Sequence, residues 1–329
     1  MSDRDFGAEV PAPLGSLDQT TVGPHLVPSD ADWTAVMEVL STRESQSVAA
    51  RIRTVGQVLR ANPRLLVGLI IVFSVALVSA LAPLFSRFDP EQAHPFDVLV
   101  APNATYWLGT DSSGMDIFSR LLYAPRIDLS IAVSATFIAI SVGSTVGVLA
   151  GYFHNPLTEI AMRVADVLQS FPALVLGMAL VVLTGHQIQN VILAIAIVNA
   201  PLYARMVRSQ ALAVKERLFI EGARAAGASD LAIVFRHLLP NSSAPVFALS
   251  SVTVGMGILL TAALSFVGAG VRVPTPEWGS MISIGAASLY EGGIWWPSVF
   301  PGIMLAVTVM GFGLIGDSLA EITDPRRRR

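Results

Sequence analysis

The sequence predicts an all-α membrane protein with six membrane-crossing helices. Three observations carry that prediction. The 329 residues are 53% hydrophobic and only 14% charged, far from the balance of a water-soluble domain. Six apolar segments meet or approach the roughly 20 residues needed to cross a bilayer. Basic residues near those segments sort strongly to one side of the membrane.

In chain order, residues 1–48 are polar and rich in Pro, Ser, Asp and Thr. They lack the basic start and short apolar core of a secretory signal and read as a largely disordered cytoplasmic extension. Within them Trp33, Val36, Met37 and Leu40 follow Ser29 and Asp30 at helical spacing, which predicts a short amphipathic helix. Residues 49–64 form a basic segment before the membrane, and residues 65–325 form the six-helix domain. Its spans are expected at 65–85, 127–150, 160–184, 188–206, 244–268 and 297–320. The intervening stretches 86–126, 207–243 and 269–296 are long enough for folded excursions, and 326–329 is a basic tail.

With the amino terminus inside, fifteen basic residues near the spans fall on the inner side and four on the outer, namely Arg87, Arg120, Arg126 and Arg272. That asymmetry puts both termini and the stretch 207–243 in the cytoplasm. Few ionisable groups lie at membrane depth. Glu159, Arg163 and Asp166 open the third span, Arg205 and Arg208 end the fourth, and pairing or snorkelling accounts for them. Gly143 and Gly147 form a small-xxx-small face, while Gly255, Gly257, Gly311 and Gly313 thin two later spans, for close packing or for a conduit.

The segment from Phe219 to Asn241 interrupts the apolar pattern with FIEGARAAGASDLAIVFRHLLPN. Small residues surround Glu221, Gly227 punctuates, Ser229 or Asp230 supplies a cap and Pro240 closes the unit, so it reads as helix, tight turn, helix. Small side chains on such a knob let another protein approach its backbone closely. Glu221, Ala223, Gly227, Leu239 and Pro240 fall at the spacing of the EAA loop of importer-type ABC transporter permeases, which this segment resembles. Gly222 stands where the pattern has its first Ala, and His237 where it has Ile. The resemblance implies that the loop docks on an ATPase subunit and carries its closing motion into the membrane.

A second motif precedes the second span: WLGTDSSGMDIFSRLLYAPRIDLS, residues 107–130. Leu108, Gly109, Thr110, Asp111, Gly114, Asp116, Ser119, Arg120, Tyr123 and Arg126 resemble the signature of the dipeptide and oligopeptide permease subfamily. Matches continue through Ala150–Gly151–Tyr152, Pro172, Leu264–Gly268 and Asp324–Pro325, so the resemblance covers about 105–325. Asp116 and Arg120, four residues apart, can pair on a helix. Asp111, Asp116 and Arg120 are expected to organise the outer surface that meets a solute-binding protein. The acidic spacing and terminal Glu of a calcium loop are missing, and no metal site is expected. Met256, Leu260 and Leu264 in the fifth span are candidates for lining the path between two permeases, a placement that the resemblance implies.

Several functions are excluded. A net charge of −3 lacks the basic excess of a nucleic-acid binder, and the absence of cysteine removes thiolate chemistry. The only lysine, Lys215, is followed by Glu216, so no phosphate-binding Gly-Lys-Ser/Thr motif exists on this chain. Five scattered histidines and the lack of a Gly-x-Ser-x-Gly motif leave no support for a membrane enzyme. The expected function is a permease subunit of an ATP-driven bacterial importer for dipeptides or short oligopeptides, lying in the inner membrane and its lipid. The resemblance implies a second homologous permease, two ATPase subunits that hold ATP and Mg, and an extracellular or periplasmic solute-binding protein. Nickel, glutathione or another small solute is the alternative cargo. A secondary carrier working without ATPase is the alternative class, though it would give the knob no job.

Overall fold

The computed structural model describes residue 59 and residues 62–323, and the predicted helix around Trp33 and the tail at 326–329 lie outside those residues. Among the described residues the regular structure is helical, with one isolated bridge between Thr110 and Asp116. Helix α1 (Pro63–Ala80) is followed by the short α2 (Ala82–Phe85), then α3 (Ile117–Tyr152), α4 (Pro156–Ser170), α5 (Ala173–Thr184) and α6 (Ile188–Lys215). The knob contains α7 (Leu218–Ala225), α8 (Asp230–Ala232), a π turn (Ile233–Leu238) and α9 (Leu239–Ser242). Helices α10 (Ala244–Phe266), α11 (Trp278–Gly292) and α12 (Trp296–Thr323) complete the fold. Five helices are long and apolar enough to cross a membrane, and α4 with α5 makes a sixth if the bent pair is one span.

That pair corrects the third expected span. Residues 160–184 do not form one straight helix: α4 and α5 meet at 102° around Phe171 and Pro172. Pro172 has no N–H to donate and its ring disfavours helical backbone at the preceding residue. Phe171 is accordingly extended, at φ −86° and ψ 142°. The helix also starts earlier than expected, at Pro156, because Asn155 and Thr158 form a reciprocal capping box. Asp166 on α4 reaches Arg205 on α6 at 3.9 Å, the pairing expected of these charges, though both side chains are largely exposed and the bond adds little stability.

The 36-residue α3 is the spine of the bundle. At 1.5 Å per residue it spans roughly 54 Å, well beyond a hydrocarbon core of about 30 Å. It takes up the last ten residues assigned by sequence to the loop 86–126, because Asp116 caps it by accepting from the Ser119 N–H at 2.7 Å. Its glycines serve packing against α6. A Cβ at Gly143 would stand 2.4 Å from the Ala200 carbonyl oxygen, and one at Gly147 equally close to that of Ala204. A Gly147→Val variant is therefore expected to force the helices apart. Overpacking costs roughly 1–3 kcal/mol where side chains can move, and a backbone carbonyl cannot. The check is the yield of monodisperse protein after detergent extraction, expected to fall steeply for Gly147→Val and little for Gly313→Val, where a Cβ meets open space.

Candidate functional site

The knob grows from the end of α6. Arg217 is extended and turns the chain, α7 follows, and Gly227 adopts φ +82°, the left-handed conformation that glycine takes without steric cost. Its N–H donates to the Arg224 carbonyl at 3.0 Å and that of Ala228 to the Ala223 carbonyl at 3.1 Å, closing the helix end. Ser229 then caps the next turn by accepting from the Ala232 N–H. The expected helix, turn and helix are thus present. Pro240, however, does not close the unit: it lies in the first turn of α9, where a missing N–H is tolerated, and the chain stays helical to Ser242. The preceding π turn ends with the Leu239 N–H donating to the Val234 carbonyl, five residues back, so the proline follows a widened turn.

Ile220, Ile233, Val234 and Leu238 root the knob, buried against Val207, Ala211 and Val214 of α6. Of the residues that the sequence pattern singled out, Ala223 and Leu239 pack on this root. His237 is half-buried and its carbonyl accepts from the Asn241 side chain at 2.6 Å, while Pro240 is exposed. Glu221, Gly222 and Gly227 are exposed, and nothing of the chain lies within 4 Å of a Cβ placed at either glycine. The pattern thus mixes residues that seat the knob with residues that present it. Four exposed apolar side chains beside them went unnoticed in the sequence: Leu218, which is 83% exposed, Phe219, Leu231 and Phe235. A signal existed, since the run Leu218–Phe219–Ile220 on so short a helix cannot all face inward.

At the other end of α3 the second motif folds on itself. Gly109 and Gly114 take positive φ, and a Cβ at Gly114 would collide with the His94 backbone. Thr110 accepts from the Val100 N–H at 2.8 Å, and Asp111 Oδ1 accepts from the N–H groups of Ser113 at 2.8 Å and Met115 at 3.0 Å. Arg120 is fully buried. Its Nη1 donates to the carbonyls of Pro90 at 2.9 Å and Pro274 at 2.8 Å and to Met115 Sδ, and its Nε lies 3.9 Å from Asp111. The expected Asp116–Arg120 pair is corrected: Asp116 is committed to the helix cap and Arg120 turns to Asp111. Asp111, Asp116 and Arg120 are also all buried, so they shape the loop from within and are not its outward face. Two further buried carboxylates were not singled out. Glu277 caps α11 by accepting from the Gly279 and Ser280 N–H groups at 2.7 Å each, and Asp128 of α3 accepts from the Trp278 N–H at 3.2 Å.

The three candidate path residues do not share one environment. Met256 is 58% exposed, Leu260 is half-buried, and Leu264 is fully buried among Val181, Val191 and Ile195. Eight residues of α-helix turn about 80° beyond two full turns, which swings Leu264 away from the face carrying Met256. Leu264 is a core residue of this chain.

Residues 143–329 match the family described as the binding-protein-dependent transport system inner membrane component, over more than half of the chain. The chain belongs to that family. It is 37% identical over 270 residues to the dipeptide transport system permease protein DppC of Alkalihalophilus pseudofirmus, covering 82% of this chain and 88% of that one. It is 36% identical over 271 residues to the glutathione transport system permease protein GsiD of Pectobacterium atrosepticum, with the same coverage of 82% and 88%. A chain of the MetNI methionine ABC transporter, solved in inward-facing conformations, superposes with a TM-score of 0.50 at 21% identity, covering 62% of this chain and 96% of that one. That likeness concerns the fold. With its apolar helices, family membership makes the chain a multi-pass membrane permease of the ABC importer type.

Proposed function

We propose that this family member is one of two permease subunits in a bacterial importer for dipeptides or short oligopeptides, driven by two separate ATPase subunits. The knob faces the cytoplasm, where ATP is, and the scaffold around Arg120 lies on the side of the solute-binding protein; the fifteen-to-four distribution of basic residues supports this orientation. The observation that carries the reading is the exposed face at Glu221, Gly222 and Gly227, open to a partner yet rooted in a buried apolar seat. A rigid protrusion of this kind converts pressure from a closing ATPase pair into helix displacement, opening the path alternately to either side. The chain itself catalyses no covalent step. ATP and Mg belong to the partners, since the lone lysine is outside any phosphate loop.

The cargo follows from the relatives' names. Similarity to the dipeptide permease supports peptides, and nearly equal identity to the glutathione permease supports a γ-linked tripeptide as the second reading. The test is reconstitution of the whole assembly in liposomes with its binding protein, loaded in turn with dialanine and with glutathione. The expected result is ATP hydrolysis that rises with one loaded form and uptake that stops when the ATPase subunits are omitted. Undiminished uptake without them would reject the reading in favour of a secondary carrier.

A further inference from the structure

Tyr152 is the last residue of α3 and is only 7% exposed, and three other segments converge on it. Its hydroxyl donates to Asp230 Oδ1, at the start of α8, and accepts from Arg224 Nη2 of α7 at 3.4 Å. Its carbonyl accepts from Lys215 Nζ, at the end of α6, at 2.9 Å, and the same ammonium stands 5.3 Å from its ring centroid. Both halves of the knob are therefore fastened to the Tyr152 hydroxyl, and the helix from which the knob grows is tied to the same residue through its carbonyl and ring. That residue terminates the helix whose opposite end is held by the Asp116 cap and the buried Arg120.

The apolar seat of the knob, with Ile220, Ile233, Val234 and Leu238 buried, is held by a non-directional force, so it sets the angle of the knob less sharply than a polar contact does. A hydroxyl held between a carboxylate and a guanidinium is directional, and hydrogen bonds with a charged partner are roughly twice as strong as neutral ones. Between Tyr152 and Arg120, α3 lies against α6 with backbone approaching backbone at Gly143 and Gly147. Close-packed elements shift as bodies and do not yield continuously.

We infer that Tyr152 is a positioning residue that locks the knob to α3, so that displacement of the knob moves this helix along its whole length and reaches the Arg120 scaffold. This rests on the lever reading of the knob given above. Without the hydroxyl, Asp230 and Arg224 remain solvated and of opposite charge, and the apolar seat is intact, so the protein still folds; what is lost is the fixed angle between knob and helix.

The chain contains no cysteine, so thiols introduced at Ala226 in the knob and Val133 on α3 are its only labelling sites. Spin labels at those positions in the complete assembly, in lipid nanodiscs, report the distance between knob and helix with and without ATP and vanadate. With Tyr152 present the distance distribution is expected to stay fixed while the knob label becomes shielded by the ATPases. In Tyr152→Phe, which removes the hydroxyl's bonds to both Asp230 and Arg224, it is expected to shift or broaden on adding ATP and vanadate, and uptake of labelled dialanine or glutathione per ATP to fall below that of the parent assembly. Asp230→Asn keeps an acceptor oxygen and is expected to retain the fixed distance. A Tyr152→Phe distribution that remains fixed overturns the lock while leaving the lever standing. An Ala226 label that stays fully accessible to an aqueous quencher with the ATPases bound overturns the lever itself, and the lock with it.

Discussion

A Gly227→Leu variant is expected to insert and fold normally yet lose ATP-driven uptake, with ATP hydrolysis no longer answering to the loaded binding protein. Gly227 holds φ +82°, so any side chain there costs about 1–2 kcal/mol of backbone strain. The chain itself offers no clash, since nothing lies within 4 Å of the added Cβ. A defect larger than that strain must arise in a partner's surface. Gly222→Leu separates the two contributions, because Gly222 sits in the interior of α7 without positive φ and also faces open space. There the substitution improves helix propensity by up to about 1 kcal/mol, so any loss is steric and external. Wedging a leucine into a packed interface costs roughly 1–3 kcal/mol, about five- to 150-fold in affinity. Both variants should therefore extract in normal yield and release the ATPase subunits on dilution. Gly222→Leu with wild-type affinity and uptake would show that the exposed face of the knob carries no contact.

The long helices were legible because hydropathy needs no tertiary information: α1, α10 and α12 fall close to the expected spans, while α6 starts where expected but runs on to Lys215, nine residues into the stretch assigned to the loop 207–243. Where the reading failed, a local backbone effect competed with an unbroken apolar run. Pro172 bends the third segment, yet its neighbours Phe171 and Ala173 are apolar and hide the break from a hydropathy window. The extension of α3 lay in plain view as the Asp116-x-x-Ser119 cap, and the apparent loop around it was assigned from its polarity alone. The site divides the same way. Gly227 was readable because a left-handed turn demands glycine, whereas Tyr152 stood in the resemblance without a role, since its partners Asp230, Arg224 and Lys215 stand 63 to 78 residues away in sequence. Arg120 and Asp116 show the limit of spacing arguments. Four residues on a helix permit a pair, but an N-cap satisfies backbone N–H groups that otherwise have no partner, and the carboxylate goes there first.

Arg120→Met is expected to be the most damaging single change at the other end of α3. Among the described residues Arg120 is the only buried cation, set within a region that also buries Asp111, Asp116, Asp128 and Glu277. Methionine nearly matches the arginine stem in volume, so the variant tests charge and hydrogen bonding with little cavity formation. It removes the donor to the Pro90 and Pro274 carbonyls, which tie the segment before α3 to the loop before α11. It also strands Asp111, whose second oxygen has Arg120 as its ion partner. Removing one member of a buried ion pair costs about 3–5 kcal/mol, a large share of the stability of an ordinary domain. Arg120→Lys is not expected to rescue, because a lysine ammonium is strongly hydrated and lacks the planar array of donors. Arg126→Met is the matched control: Arg126 caps the end of α1 through the Ser79 and Ala80 carbonyls at 2.9 and 3.1 Å, but from an exposed position where water replaces it. Limited proteolysis of residues 86–116 reads the difference, with rapid cleavage expected for Arg120→Met and near-normal resistance for Arg126→Met. Equal resistance in both variants would mean that the loop is held by its turns and caps, and that the buried guanidinium contributes no net stability to it.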